Sequence, residues 1–153
     1  MSGIRDIWLF ANNIIRSSRQ MVNEDLRPLN LSSAEGNILI HLWTQDREFR
    51  QEDIVEQLDI SKPAVSRALE SLEKKGYVER VKDPSDKRVS LVQLTDKARE
   101  IGPQIEQVYN EVFSIASQFI SEDEIKDFIR LFGRVSENFS IARDKKRNRG
   151  RPE

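Results

Sequence analysis

The segment from Ser61 to Thr95 constrains the fold more than any other part of the chain. A helical run from Ser61 to Lys75 ends at Gly76, and glycine suits the left-handed position that closes a helix. Two β-rich runs follow, at residues 77–82 and 89–94. The six residues that join them are more than a tight hairpin needs. A helix followed by a long-tipped hairpin is therefore expected here.

A helix–turn–helix is predicted at residues 51–76. A short helix at 51–58 leads through a turn at 59–61 into the longer helix, with Ser61 as its N-cap and Pro63 in its first turn. One face of that helix should pack inward, through Val65, Ala68, Leu69 and Leu72. With the hairpin, the fold class is mainly α with a small β-hairpin, a winged helix–turn–helix. A plain helical hairpin is the alternative.

The outer face of the longer helix carries small side chains that would let its backbone approach DNA bases. Pro63, Ala64 and Ser66 are small, Ala64 can touch a thymine methyl group, and Arg67 can fork onto guanine. This pattern predicts a helix that reads the major groove.

The tip of the hairpin is basic, with Lys87 and Arg88 beside Asp86. An arginine held between two strands can enter a narrow minor groove, where the potential is more negative. Asp86 could hold the Arg88 guanidinium by a bidentate pair. The alternative interpretation is an ordinary solvated hairpin tip.

Helices are also expected on both sides of this unit. Apolar residues recur at steps of three and four from Ile4 to Val22, and Pro28 should end that helix near Arg27. Capping boxes predict helix starts at Ser32 and Ser121, and Thr95 should cap a long helix reaching about Phe119. In that long helix Pro103 predicts a kink or a delayed start. Residues 45–51 are polar and are expected to be a loop.

Charge is distributed unevenly along the chain, although its net value is only −1. Residues 61–88 carry eight Lys or Arg against five Asp or Glu, and residues 143–153 carry six against two. Because phosphate attraction depends on the local patch, the near-neutral total does not exclude DNA. There is no cysteine and no sequence that resembles a signal peptide or membrane span, so a cytoplasmic protein is expected.

Three parts of the chain together resemble the multiple antibiotic resistance regulator (MarR) family. They are the segment Ile60 to Arg80, the run Asp83-Pro84-Ser85-Asp86-Lys87-Arg88 and the pair Leu94-Thr95. The resemblance implies a homodimeric winged helix–turn–helix transcriptional regulator, most often a repressor of a pseudo-palindromic operator in double-stranded DNA. It also implies that a small aromatic ligand can relieve repression. The recognition contacts of the family fall on Pro63, Ala64, Ser66 and Arg67, and its wing pair falls on Asp86 and Arg88.

Four domains are predicted: an N-terminal dimerisation helix at 1–30, a DNA-binding domain at 31–95, C-terminal dimerisation helices at 96–142, and a basic disordered tail at 143–153. The predicted DNA-binding residues are Ser61, Lys62, Pro63, Ala64, Ser66, Arg67, Lys74, Arg80, Asp86, Lys87 and Arg88. Of these, Lys62, Lys74, Arg80 and Lys87 are expected to contact mainly phosphates.

Two further hypotheses concern other residues. In the tail, Arg149, Gly150 and Arg151 resemble the core of an AT-hook, which lies in the minor groove; a generic basic tail is the alternative. An aromatic ligand pocket could be lined by Trp8, His41, Trp43 and Phe113, although such residues more often fill a core.

An enzyme is not expected. The chain has no cysteine nucleophile, no serine–histidine motif and no phosphate-binding glycine loop, and its lone His41 lacks partner ligands for a metal. No catalytic residue, metal or cofactor is therefore predicted. The alternative function, from a different class, is a winged-helix module for protein interaction or DNA architecture that responds to no effector.

Overall fold

The computed structural model describes residues 2–149. Contacts divide the chain into one unit ending at Val112 and a second beginning at Phe113. The helices are α1 (Ser2–Leu26), α2 (Ser33–Gln45), α3 (Gln51–Leu58), α4 (Lys62–Lys74), α5 (Asp96–Ala116) and α6 (Glu122–Arg149), and a short 3-10 helix (Arg27–Leu29) follows α1. The strands are β1 (Phe49–Arg50), β2 (Val78–Lys82) and β3 (Ser90–Leu94).

Local capping explains where three of the helices begin. Ser32 and Glu35 form the expected capping box, in which the Glu35 N–H donates to Ser32 Oγ and the Ser32 N–H donates to the Glu35 carboxylate. Ser121 and Glu124 repeat this arrangement at α6. At α4 the Ser61 hydroxyl accepts from the Ala64 N–H at 3.4 Å. These sequence predictions are confirmed.

The sheet has three antiparallel strands in the order β1-β3-β2, so the prediction of two strands was incomplete. β2 and β3 pair from Val78 opposite Leu94 to Lys82 opposite Ser90. The third strand lies inside the segment that was expected to be a loop, where Phe49 pairs with Val92. Two residues are too few to show a strand periodicity, and the pairing is held by a partner far along the chain.

The core of the first unit is formed where α2, α3 and α4 pack against the sheet. The inward face of α4 is buried as predicted, through Val65, Ala68, Leu69 and Leu72. Other fully buried side chains come from different elements: Leu26, Ile38, Leu39, Leu42, Phe49, Ile54, Val92 and Ile105. With α4 fixed on one side, its opposite side is left for solvent or a partner.

Gly76 ends α4 with a φ of 77°, which confirms the expected left-handed closing position. The Gly76 N–H donates to the Glu73 carbonyl and the Tyr77 N–H donates to the Leu72 carbonyl. These bonds satisfy carbonyls that the end of a helix otherwise leaves open. The chain consequently turns directly from α4 into β2.

Helix α5 lies close to Trp43 of α2 at Gly102. A Cβ added there would lie 2.5 Å from Cε3 of Trp43, so only glycine fits beneath the indole ring. The Trp43 Nε1–H donates to Glu106 one turn later. Pro103 lies inside α5, which starts at Asp96, and the expectation of a delayed helix start is therefore wrong.

In the second unit, α6 extends from Glu122 through Arg149. Residues 143–149, expected to be disordered, are thus helical in the described part of the chain, because an unbroken helical sequence precedes them. Helix α5 ends at Ala116 rather than at Phe119, which adopts a φ of 63° in the turn between α5 and α6.

No helix within residues 2–149 combines the length and apolar character that crossing a membrane requires.

Candidate nucleic-acid interface

The outer face of α4 is open and carries small and basic side chains. Lys62, Pro63, Ser66 and Arg67 are exposed, and Ala64 is half-buried. Because the opposite face of α4 is fixed in the core, the helix presents this surface in one orientation. The residues that the sequence predicted to contact bases are therefore accessible together.

The wing is the hairpin of β2, β3 and the connection at residues 83–89. The Asp83 N–H donates to the Val89 carbonyl, and the Val89 N–H donates to the Asp86 carbonyl, so the loop is closed by backbone bonds. The side chain of Arg88 at its tip is 92% exposed. Lys87 beside it is exposed too.

Asp86 contacts Arg88 in a different way from the one predicted. Its Oδ1 accepts both the Arg88 backbone N–H, at 3.0 Å, and the Arg88 Nε–H, at 3.2 Å. The expected bidentate pair is therefore wrong, because one carboxylate oxygen is shared between the backbone and the side chain. The two terminal nitrogens of the guanidinium point to no acceptor among the described residues, and they remain available to a ligand.

Asp83 organises the base of the wing, a role that the sequence alone did not predict. The Ser85 hydroxyl and the Ser85 N–H donate to its Oδ1 at 2.6 and 2.9 Å, and Arg50 donates to its Oδ2 at 2.8 Å. The Ser85 hydroxyl, the Ser85 N–H and Arg50 lower the pKa of Asp83 to about 2. The Asp-Pro-Ser sequence is a signal for such a turn, but the bond to Arg50 depends on the fold.

Two side chains that were predicted to contact phosphates form ion pairs with acidic residues of α4. Lys74 pairs with Glu70 at 3.0 Å on the surface of α4, and Arg80 Nε pairs with Glu73 at 3.2 Å. Surface pairs of this kind contribute little to stability, so they leave the cations free to exchange partners.

A partly buried ion pair connects the end of α4 to the start of α2. Lys75 Nζ donates to both carboxylate oxygens of Glu35, at 3.0 and 2.9 Å, and to the Asn30 carbonyl at 2.7 Å. Burial alone would raise the pKa of Glu35, but hydrogen bonds from Ser71, Ser32 and Lys75 outweigh it and lower the pKa. This contact holds the end of α4 against the start of α2.

The four residues suggested for a ligand pocket have different surroundings. His41 packs against Phe49 with ring centroids 4.7 Å apart, and its buried Nε2 has no hydrogen-bond partner within the described residues. Trp43 instead lies over Gly102 on α5. Trp8 and Phe113 are exposed. In the described part of the chain, His41 and Trp43 therefore contact different residues and do not line one common pocket.

The AT-hook hypothesis falls at the edge of the described chain. Arg149 is the last residue of α6, and Gly150 and Arg151 lie outside the described residues.

Comparison with known proteins identifies the central part of this structure. Residues 31–90 match the model of the MarR family. They form a MarR-family domain. The resemblance noted in the sequence is confirmed, and all eleven residues of the predicted interface lie within this MarR-family domain.

Solved structures of MarR-family regulators resemble the chain over most of its length. The transcriptional regulator SlyA matches with a TM-score of 0.81 and 25% identity, over 90% of this chain and 96% of its own. A MarR-family transcriptional regulator from Listeria monocytogenes, solved with 26mer DNA, matches with a TM-score of 0.79 and 26% identity, over 98% and 96%. A mutant of MarR from E. coli, complexed with operator DNA, matches with a TM-score of 0.75 and 25% identity, over 86% and 94%. The winged helix–turn–helix prediction is confirmed.

Proposed function

We propose that this protein is a transcriptional regulator that binds duplex DNA as a homodimer, with α4 in the major groove and the wing in the flanking minor groove. The observation that carries the proposal is the pairing of an open, small-faced α4 with an arginine-tipped wing that packs against it through β2. Small side chains on α4 allow close approach to bases, and Arg88 supplies a charge at the wing tip. Two similar structures were solved with DNA, which supports the same partner here.

Two residues without polar side chains, at the start of α4, bear on how the DNA sequence is read. Pro63 and Ala64 offer no side-chain hydrogen bond to a base, so Ser66 and Arg67 are the polar readers of the major groove. Fewer base hydrogen bonds leave more of the specificity to the shape of the DNA, which the wing senses in the minor groove.

Homodimerisation is proposed because apolar side chains lie exposed outside the DNA-binding unit. Helix α1 exposes Ile7, Trp8, Leu9, Phe10, Ile14 and Ile15. The second unit exposes Phe119, Phe128, Ile129, Leu131, Phe132 and Ile141, among others. Patches of this extent mark interaction surfaces, and a second copy of the chain would cover them symmetrically. Two copies of α4 would then meet half-sites about 34 Å apart.

Repression relieved by a small aromatic ligand completes the proposal. The buried Nε2 of His41, which has no hydrogen-bond partner among the described residues, is a polar atom that a ligand hydroxyl or carboxylate could bond. A panel of small aromatic acids, scored by thermal shift and by release of bound DNA, tests this part separately. A ligand that raises the melting temperature and lowers DNA affinity supports it.

Selection of bound sequences from a random duplex pool tests the main proposal. A regulator of this kind should enrich a pseudo-palindrome whose halves are one helical turn apart. A module for protein interaction would enrich nothing, and an architectural binder would retain DNA without a preferred sequence. Either of those outcomes would replace the proposed function.

A further inference from the structure

A surface depression of about 330 Å³ lies between the starts of α3 and α4 and the arms of the wing. Three cations line it: Arg50 of β1, Lys62 of α4 and Arg80 of β2. Glu52 is the acidic residue among those that line it, and Val89 and Ser90 near the end of the wing hairpin also line it. The side chains that line it therefore carry more positive than negative charge.

Each of the two arginines uses one guanidinium nitrogen in an ion pair, and its remaining N–H groups can bind a ligand. A guanidinium has five N–H donors. Arg50 uses one terminal nitrogen to bind Asp83, and Arg80 uses Nε to bind Glu73. Lys62 is exposed and pairs with no acidic residue among those described. The three cations thus offer free donors around one concave surface.

The proposed docking geometry requires a DNA backbone at this place. With α4 in the major groove and the wing tip in the adjacent minor groove, one sugar–phosphate strand separates the two grooves. That strand must cross the protein surface between α4 and the wing, which is where the depression lies. Phosphates are bound by arginine and lysine donors of the kind gathered here.

We infer that Arg50, with Lys62 and Arg80, binds backbone phosphates of this strand, and that Asp83 is the positioning residue for Arg50. The inference rests on the proposed function and adds a contact from outside the recognition helix and the wing tip. Asp83 is itself buried and bonded to Ser85, so its ion pair connects Arg50 to the base of the wing. A contact of this type strengthens binding to every sequence and carries no base preference.

The salt dependence of DNA binding tests the role of Arg50. For Arg50→Gln, affinity at 0.1 M salt should fall by about 10-fold on all duplexes alike. The slope of log K against log salt should flatten by about 1.8, because a dimer loses two phosphates at roughly 0.9 each. Arg99→Gln is the matched control: it removes the same charge and an Arg–Asp pair of the same 2.8 Å length, outside the depression. Its slope should stay near that of the wild type.

Asp83→Asn separates phosphate binding from support of the wing. It breaks the same ion pair but keeps the Arg50 charge, so its slope should remain that of the wild type. If Asp83→Asn reproduces both the affinity loss and the flattened slope, Arg50 acts only by holding the wing, and the inference is wrong. An unchanged slope for Arg50→Gln in a protein that binds DNA would also overturn it while leaving the proposed function intact.

A scan of the DNA itself covers the case in which Arg50→Gln does not fold. Wild-type protein is titrated with duplexes that carry one neutral methylphosphonate at a time. Neutralising a phosphate between the α4 and wing contacts should weaken binding, and the inference fails if no phosphate there has an effect. If wild-type protein binds no duplex at all, the proposed function fails, and this inference fails with it.

Discussion

At the residue scale, Arg88 is the side chain whose chemistry is easiest to isolate. It is 92% exposed and bonded only to Asp86 among the described residues, so its removal should leave the fold unchanged. Arg88→Ala should cost at least about 1 kcal/mol of DNA-binding free energy, the size of a single specific contact. A fluorescence anisotropy titration measures this, and Arg130→Ala on α6, which removes an exposed arginine from an Asp127 pair, is the control. Wild-type affinity for Arg88→Ala would contradict the role of the wing.

Glu35 gives a residue-scale prediction for stability. Replacing it with glutamine removes the buried negative charge that pairs with Lys75. The free energy of unfolding should therefore fall by about 1–2 kcal/mol at neutral pH. The control Glu137→Gln changes an exposed residue of α6 and should shift stability by less than about 0.5 kcal/mol. Urea denaturation of the three proteins measures both values.

The difference in unfolding free energy between the wild type and Glu35→Gln should depend on pH with a definite sign. The pKa of Glu35 is lowered in the folded protein from its ordinary value of 4.5, so the unfolded chain takes up the proton first as pH falls. The advantage of the wild type over Glu35→Gln should be complete well above pH 4.5 and should be lost as pH falls from there through the lower folded-state pKa of Glu35. An advantage that grows on acidification would show that the carboxylate is not the stabilised form.

At the element scale, two glycines in helices make a matched pair. Gly102 lies under the Trp43 ring, whereas a Cβ built at Gly133 in α6 meets no atom of the described residues within 4 Å. Gly133→Ala should raise the free energy of unfolding by about 0.5–1 kcal/mol through helix propensity. Gly102→Ala should lower it by about 1–3 kcal/mol because the added methyl group overpacks the contact with Trp43. Equal stabilisation of both variants in thermal unfolding would rule out close packing of α5 on α2.

The elements that could be predicted from the sequence are those whose causes are local. Capping boxes at Ser32 and Ser121 need residues only three positions apart, and Gly76 ends α4 through its own backbone. The inward face of α4 follows from helical spacing. The eight-residue helix α3 and the β2–β3 hairpin, also predicted, depend on similar short-range patterns.

The features that the sequence did not reveal depend on partners distant in the chain. Strand β1 exists because Phe49 pairs with Val92, and Arg50 gains its role from Asp83, 33 residues later. The fit of Trp43 over Gly102 is of the same kind. At the wing, the prediction gave the right residues, Asp86 and Arg88, but the wrong geometry, because the backbone N–H of Arg88 competes for the same oxygen.

At the scale of the whole molecule, the exposed apolar residues of α1 predict a change in assembly state on mutation. The wild type should sediment at twice the 17.8 kDa mass of the chain. Phe10→Glu places a charge on a side chain that is 66% exposed in one chain, so a monomer would tolerate it, but a buried dimer interface would not. The control Asn12→Glu adds the same charge at an exposed polar position on the same helix. Sedimentation equilibrium that gives a monomeric wild type would contradict dimerisation.

Hydroxyl-radical footprinting on a selected duplex shows how the assembled dimer lies on DNA. Two copies of α4 and two wings should protect the backbone in a two-fold symmetric pattern, with half-site centres about 10 base pairs apart and flanking protection from the wings. Arg88→Ala should lose the flanking protection and keep the central pattern. A single protected patch without symmetry, or an unprotected duplex at saturating protein, would contradict the account.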